Sequence, residues 1–116
     1  MGLRLGSWKT VTVDKDGTTS SETDLGEVFR NVQVYSPALD SATLTVKVSR
    51  LTTDTAVQAY NFDADATGDF VRTTTAKTTA AMNVFKDICA RFITLVLSAA
   101  QTTAARTFYV RGIDPL

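Results

Sequence analysis

Hydrophobic and polar residues alternate with a period of two along most of the chain, in short runs broken by turn residues. Trp8 to Val13 sets Lys9, Val11 and Val13 against Trp8, Thr10 and Thr12. Successive side chains of a strand point to opposite faces, so this alternation predicts a half-buried strand. Asp14-Lys15-Asp16-Gly17 follows as a tight turn, because Gly accepts positive φ, and Thr18 to Thr23 is expected to run back as the second strand of a hairpin. Asp24-Leu25-Gly26 then redirects the chain. Val28 to Tyr35 alternates again and ends at Pro37, with Ser36 to Asp40 as a loop. Thr43 to Leu51 has the cleanest signal, with Leu44, Val46 and Val48 on one side and Thr43, Thr45, Lys47 and Ser49 on the other.

Thr55 to Phe62 alternates more weakly and precedes an Asp-rich loop, Asp63 to Asp69. Phe70 to Thr75 and Thr78 to Met82 read as short strands around Ala76-Lys77. Asn83 to Ala90 has helical spacing, since Val84 or Phe85 can share a face with Ile88, and predicts one short helical turn over 83–90 that plugs an end of the core. Arg91 to Ser98 is the most apolar strand, with Ile93, Leu95 and Leu97 opposite Phe92, Thr94, Val96 and Ser98. After the small-residue loop Ala99 to Ala105, Thr107 to Ile113 closes the fold with Phe108, Val110 and Gly112 on one face. About eight short strands at intervals of about 8–12 residues predict an all-β, antiparallel two-sheet sandwich. A jelly-roll-like arrangement is preferred over an immunoglobulin-like one, which lacks its Cys pair here and would place its core tryptophan later than Trp8.

Composition supports this and narrows the chemistry. Thr is roughly a sixth of the 116 residues, and β-branched side chains sit better on a pleated surface than in a helix. The length predicts a single domain over 1–116, large enough to bury roughly 65% of the surface of its unfolded form. Twelve basic residues balance twelve acidic ones, so no overall pull toward nucleic acid or an anionic membrane is expected. No run reaches the ~18 apolar residues of a membrane-spanning helix. Met1 to Trp8 lacks the continuous apolar stretch of an export signal, and one Cys suits assembly in a reducing cytoplasm. There is no His, which removes the commonest zinc ligand and neutral-pH general base.

Few side chains remain that could carry chemistry. Asp63, Asp65 and Asp69, with Gly68 and Phe70, follow the first part of a calcium loop, where hard cations need convergent oxygens. Thr74 stands where that loop needs a bidentate Glu, so an Asp-rich hairpin whose carboxylates cap backbone N–H groups fits as well, and no cofactor is expected. Asp14 and Asp16 read as turn residues, and Glu22 and Glu27 lie near strand ends. Cys89 has no His to activate it and reads as a small core thiol. No enzyme is expected. Arg91, Arg106 and Arg111, near the last two strands, could form a small basic patch. Trp8, Tyr35, Tyr60 and Tyr109 could fill the core or present a sugar-stacking platform on an exposed face.

The outer positions are largely Thr, Ala and Ser, a neutral surface that can lie against a neighbouring chain at small desolvation cost. The runs Thr18 to Gly26, Leu39 to Val46, Ala59 to Asp65, Ala90 to Leu95 and Ala105 to Arg111 resemble small virion proteins encoded in the structural regions of tailed bacteriophages. The resemblance covers most of the chain and is one of fold pattern, with no site residue carried over. It implies a jelly-roll subunit of a virion, assembled in the host cytoplasm, that decorates or cements the capsid. Its implied partners are the major capsid protein or other virion proteins, together with copies of itself in a trimer or ring. A carbohydrate-binding sandwich of a tail or fibre, and a head–tail or tail component, are the alternatives.

Overall fold

The computed structural model describes residues 3–49, 51, 56–58, 74 and 78–115. Among them are nine strands: β1 (Leu3–Leu5), β2 (Lys9–Val13), β3 (Thr23–Phe29), β4 (Asn31–Ser36), β5 (Leu44–Ser49), β6 (Val57–Gln58), β7 (Ala81–Phe85), β8 (Ala90–Leu97) and β9 (Arg106–Pro115). The chain pairs β2 with β9, β3 with β8, β4 with β7 and β5 with β6, all antiparallel. It is one long ribbon folded over on itself. Rolling that ribbon adds the pairs β4–β9 and β5–β8 and closes two sheets. One is five-stranded, in the order β1-β9-β4-β7 with β2 beside β1 on the edge of β9; the other runs β3-β8-β5-β6. This is a jelly-roll strand order.

The two sheets meet through the apolar halves of the alternating strands. Val11, Val13, Val32, Val34, Phe85, Phe108 and Val110 face Leu25, Phe29, Leu44, Val46, Ile93, Leu95 and Leu97, all buried. Removing such side chains from water is the main favourable term of folding. One end of the sandwich is tied by a polar side chain, Gln101, which is fully buried. Its Oε1 accepts from Asp40 N–H at 2.7 Å, its Nε2 donates to Ala99 O at 3.1 Å, and its carbonyl accepts from Asp16 N–H at 2.9 Å. Three connections are thereby held together, which satisfies backbone groups that burial would otherwise leave unpaired.

Several expectations are corrected. The segment 83–90 contains no helical turn: β7 ends at Phe85, Lys86-Asp87 turns, and β8 starts at Ala90. Ile88 and Cys89 donate their N–H groups to Arg30 O at 2.7 and 3.2 Å, a distant partner that replaces any helical one. The spacing of three between Phe85 and Ile88 comes from the turn, with Asp87 at φ 56 and Cys89 at φ 52. Those two left-handed residues turn Ile88 inward and leave Cys89 exposed, not in the core. The Asp14–Gly17 turn forms, with Gly17 N–H donating to Asp14 O at 2.9 Å, but it opens no hairpin. Instead, Thr18 to Ser20 cross to the second sheet and hydrogen-bond along β8. Val28 to Tyr35 is two strands in different sheets, meeting at Arg30, so Phe29 and Val32 both point inward and Val28 is exposed. The strand expected over Phe70 to Thr75, apart from Thr74, and most of that over Thr55 to Phe62 lie outside the described residues.

Candidate functional site: the outer face of the five-stranded sheet

With Val11, Val13, Val32, Val34, Phe108 and Val110 turned inward, alternation sends Trp8, Gln33, Tyr35, Tyr109 and Arg111 outward. Sheet order then brings residues far apart in sequence into rows. Thr10, Tyr109, Tyr35 and Met82 lie side by side across β2, β9, β4 and β7, and Arg111, Gln33 and Val84 form the next row. Leu5 stands opposite Ile113 on the same face, beside Leu3. Ten large hydrophobic side chains among the described residues are more than a third exposed, and seven of them are here: Leu3, Leu5, Trp8, Tyr35, Met82, Val84 and Tyr109. The aromatic part is a shallow concavity of about 580 Å³ lined by Trp8, Tyr35, Met82 and Tyr109.

This face carries almost no charge. The single ionised side chain pointing out from the described strands is Arg111, and it is engaged. Its guanidinium lies 4.3 Å from the Trp8 ring centroid and its Nε donates to Gln33 Oε1 at 2.8 Å. A guanidinium stacked on an indole is attracted by the ring quadrupole and sheds part of its hydration, so the Arg adds little to the cost of covering the surface. Tyr35 and Tyr109 pack against each other with ring centroids 6.0 Å apart and planes tilted by 51°.

Among the described residues, ion pairs gather at corners and loop ends. Arg4 bridges Glu27 on β3 and Asp114 on β9, and Asp114 also accepts from Arg30 N–H at 2.5 Å. The Arg30 amide, followed by the Arg4 side chain, holds the Asp114 carboxyl below the usual range. Arg91 grips Asp24 through Nε at 2.7 Å and Nη2 at 2.9 Å, and together with the Gly26 amide it lowers the Asp24 pKa to about 2. Asp40 is lowered by the amide and hydroxyl of Thr103 and by Arg106. These three carboxylates are stabilised as anions, which suits them to structural ties and not to donating protons in an acid–base reaction.

Of the residues singled out from sequence, Trp8, Tyr35 and Tyr109 come together on one exposed face. Tyr60 and the proposed calcium ligands Asp63, Asp65 and Asp69 lie outside the described residues. Among the described residues, no three His, Cys, Asp or Glu side chains are grouped to hold a metal ion. Asp14 and Asp16 are turn residues, with Asp16 at φ 68. Arg91, Arg106 and Arg111 form no common patch, since each is engaged in a different place, with Asp24, Asp40 and Trp8 respectively. Leu3, Leu5, Met82 and Val84 carry no sequence signal that marks them as surface residues, because their neighbours on the face are set by sheet order. No family model, curated protein or solved structure matches the chain.

Proposed function

We propose that the chain is a non-enzymatic structural subunit of a tailed-bacteriophage particle, a capsid decoration or cement protein, that docks through the outer face of its five-stranded sheet. The observation that carries this reading is the gathering of seven exposed apolar side chains, with one stacked Arg and no carboxylate, on a single sheet face. Contiguous apolar surface of this kind is kept in water where a partner covers it. The resemblance to small virion proteins supplies the partner: the shell of the particle, whose repeated subunits let a contact of roughly 800 Å² per partner act many times over. Spanning capsomer boundaries, such contacts stiffen the head against the pressure of packaged DNA. A trimeric or ring assembly of the subunit fits the same role.

A sugar platform on Trp8, Tyr35 and Tyr109 is favoured by their shared exposure, but the ring geometry counts against it. Stacking along a glycan favours rings that share a plane, whereas the planes of Tyr35 and Tyr109 are tilted by 51° to each other. The flanking Met82 and Val84 offer apolar contact and no hydrogen bonds to hydroxyl groups.

Co-sedimentation of the purified protein with empty shells of its particle's major capsid protein tests the proposal. Binding that saturates, and that Trp8→Ala or Tyr109→Lys removes while the melting temperature is kept, is the expected result. Failure of the wild-type protein to bind any shell, or binding to a glycan array instead, overturns it.

A further inference from the structure

Five arginines lie among the described residues, and four of them meet carboxylates. Arg4 pairs with Glu27 and Asp114, Arg30 with Asp87, Arg91 with Asp24 and Arg106 with Asp40. Arg111 has no carboxylate partner among the described residues. It stands on β9, the strand that β2 and β4 flank, on the outer face of the five-stranded sheet. The side chain is nevertheless held in place. Its guanidinium lies over the Trp8 ring, 4.3 Å from the centroid, and its Nε donates to Gln33 Oε1 at 2.8 Å. Neither Nη group has an acceptor among the described residues.

Covering this face takes those Nη groups out of water. Stacking shields the flat of a guanidinium, but its N–H groups lie in the plane and still need acceptors at the rim. An ionised donor covered without an acceptor is more costly than a neutral one. A carboxylate is the matching acceptor, because its two oxygens take two N–H donors in charge-assisted hydrogen bonds. The surroundings restrict what carries that carboxylate. Trp8, Tyr35, Met82 and Tyr109 line the shallow hollow, and Val84 shares the row of Arg111 and Gln33, so the carrier must be apolar around its single acid. A phosphate backbone is drawn by rows of cations, and the described strands present one here. The same face of a second copy would bring another Arg111 in place of a carboxylate.

We infer that this face takes a protein segment with one Asp or Glu side chain set among apolar residues. The carboxylate meets the Nη groups of Arg111, and its apolar neighbours fill the hollow between Trp8, Tyr35, Met82 and Tyr109. This assigns the partner's chemistry and rests on the reading of the face as a docking surface.

Selection of random 12-residue displayed peptides on the immobilised full chain, followed by calorimetric titration of the best binder, tests it. The recovered peptides are expected to carry one Asp or Glu between aliphatic or aromatic residues. Changing that acid to its amide is expected to weaken binding to the wild-type protein roughly tenfold. With Arg111→Ala, acid and amide peptides are expected to bind equally, and Arg111→Lys should restore part of the difference. Selection that yields no peptide, or peptides without an acid, overturns the inference. So does a preference for the acid that survives Arg111→Ala while the melting temperature is unchanged. Shells of the major capsid protein separate this result from the capsid reading. Arg111→Ala is expected to weaken shell binding roughly tenfold, with saturation still reached at higher concentration. Acid-dependent peptides without any shell binding uphold the inference and overturn the capsid reading; shell binding indifferent to Arg111, with no acid-dependent peptide, does the reverse.

Discussion

Gly112 on β9 lies against the ring of Phe29 from the opposite sheet, so closely that a Cβ built at 112 would stand 2.0 Å from two ring carbons. The Arg4 guanidinium also lies over that ring, 4.5 Å from its centroid, and Gly6 sits at its rim. Phe29 is the last residue of β3 before the chain crosses sheets at Arg30, so the ring fills the corner where the crossing occurs. Gly112→Ala is therefore expected to overpack this corner, at a cost of about 1–3 kcal/mol and a melting temperature roughly 5–10 °C lower. In a Phe29→Ala background the same substitution should cost much less. Thermal melts of the two single variants and the double variant measure that coupling.

Gln101 gives a second, independent measure of what holds the sandwich. Gln101→Leu keeps the volume but removes the acceptor for Asp40 N–H and the donor to Ala99 O. Leaving such buried groups unpaired costs about 1–3 kcal/mol, and the expected drop in melting temperature is of order 3–10 °C. An unchanged melt would mean that the two side-chain hydrogen bonds add nothing net to stability.

Much of this framework was legible in the alternation. Val11, Val13, Leu44, Val46, Ile93, Leu95, Leu97, Phe108 and Val110 read as inward-facing and are buried. What the pattern could not convey is partner choice and single-residue slips. The Asp14–Gly17 turn reads as a hairpin because local chemistry fixes a turn and says nothing of the distant Gln101 that captures it. The corner at Arg30 shifts alternation by one residue, which a run of valines conceals. From the sequence, Trp8, Tyr35 and Tyr109 fit the core as readily as an exposed face; they lie on the exposed face, and their convergence there depends on β9 lying between β2 and β4.

The corner ion pairs set the acid response. Asp24 has its pKa lowered to about 2 by Arg91 and the Gly26 amide, and Asp114 is lowered by the Arg30 amide and Arg4. An unfolded Asp titrates near about 3.9, so these carboxylates bind protons more readily in the unfolded chain than in the folded one. Their stabilisation is complete above that value and is lost as the pH falls through the folded pKa, for Asp24 between about 4 and about 2. Melting temperature is expected to fall over that interval, and Asp24→Asn should flatten the fall. Because Asp24 and Arg91 are both partly exposed, the contribution should shrink in high salt.

The chain has a single tryptophan, and it lies on the proposed docking face. Trp8 is 42% exposed and covered on one side by Arg111. Covering the face with a protein partner would take the indole out of water, so its emission should shift to the blue and its quenching by acrylamide should fall when shells are added. Arg111→Ala removes the cation from the ring and leaves the apolar neighbours, so the shift on binding should persist with altered intensity. Oligosaccharides in place of shells should produce neither change. A Trp8 signal that stays solvent-like in a protein–shell complex would place the contact on a different surface, and the apolar face would then need another occupant.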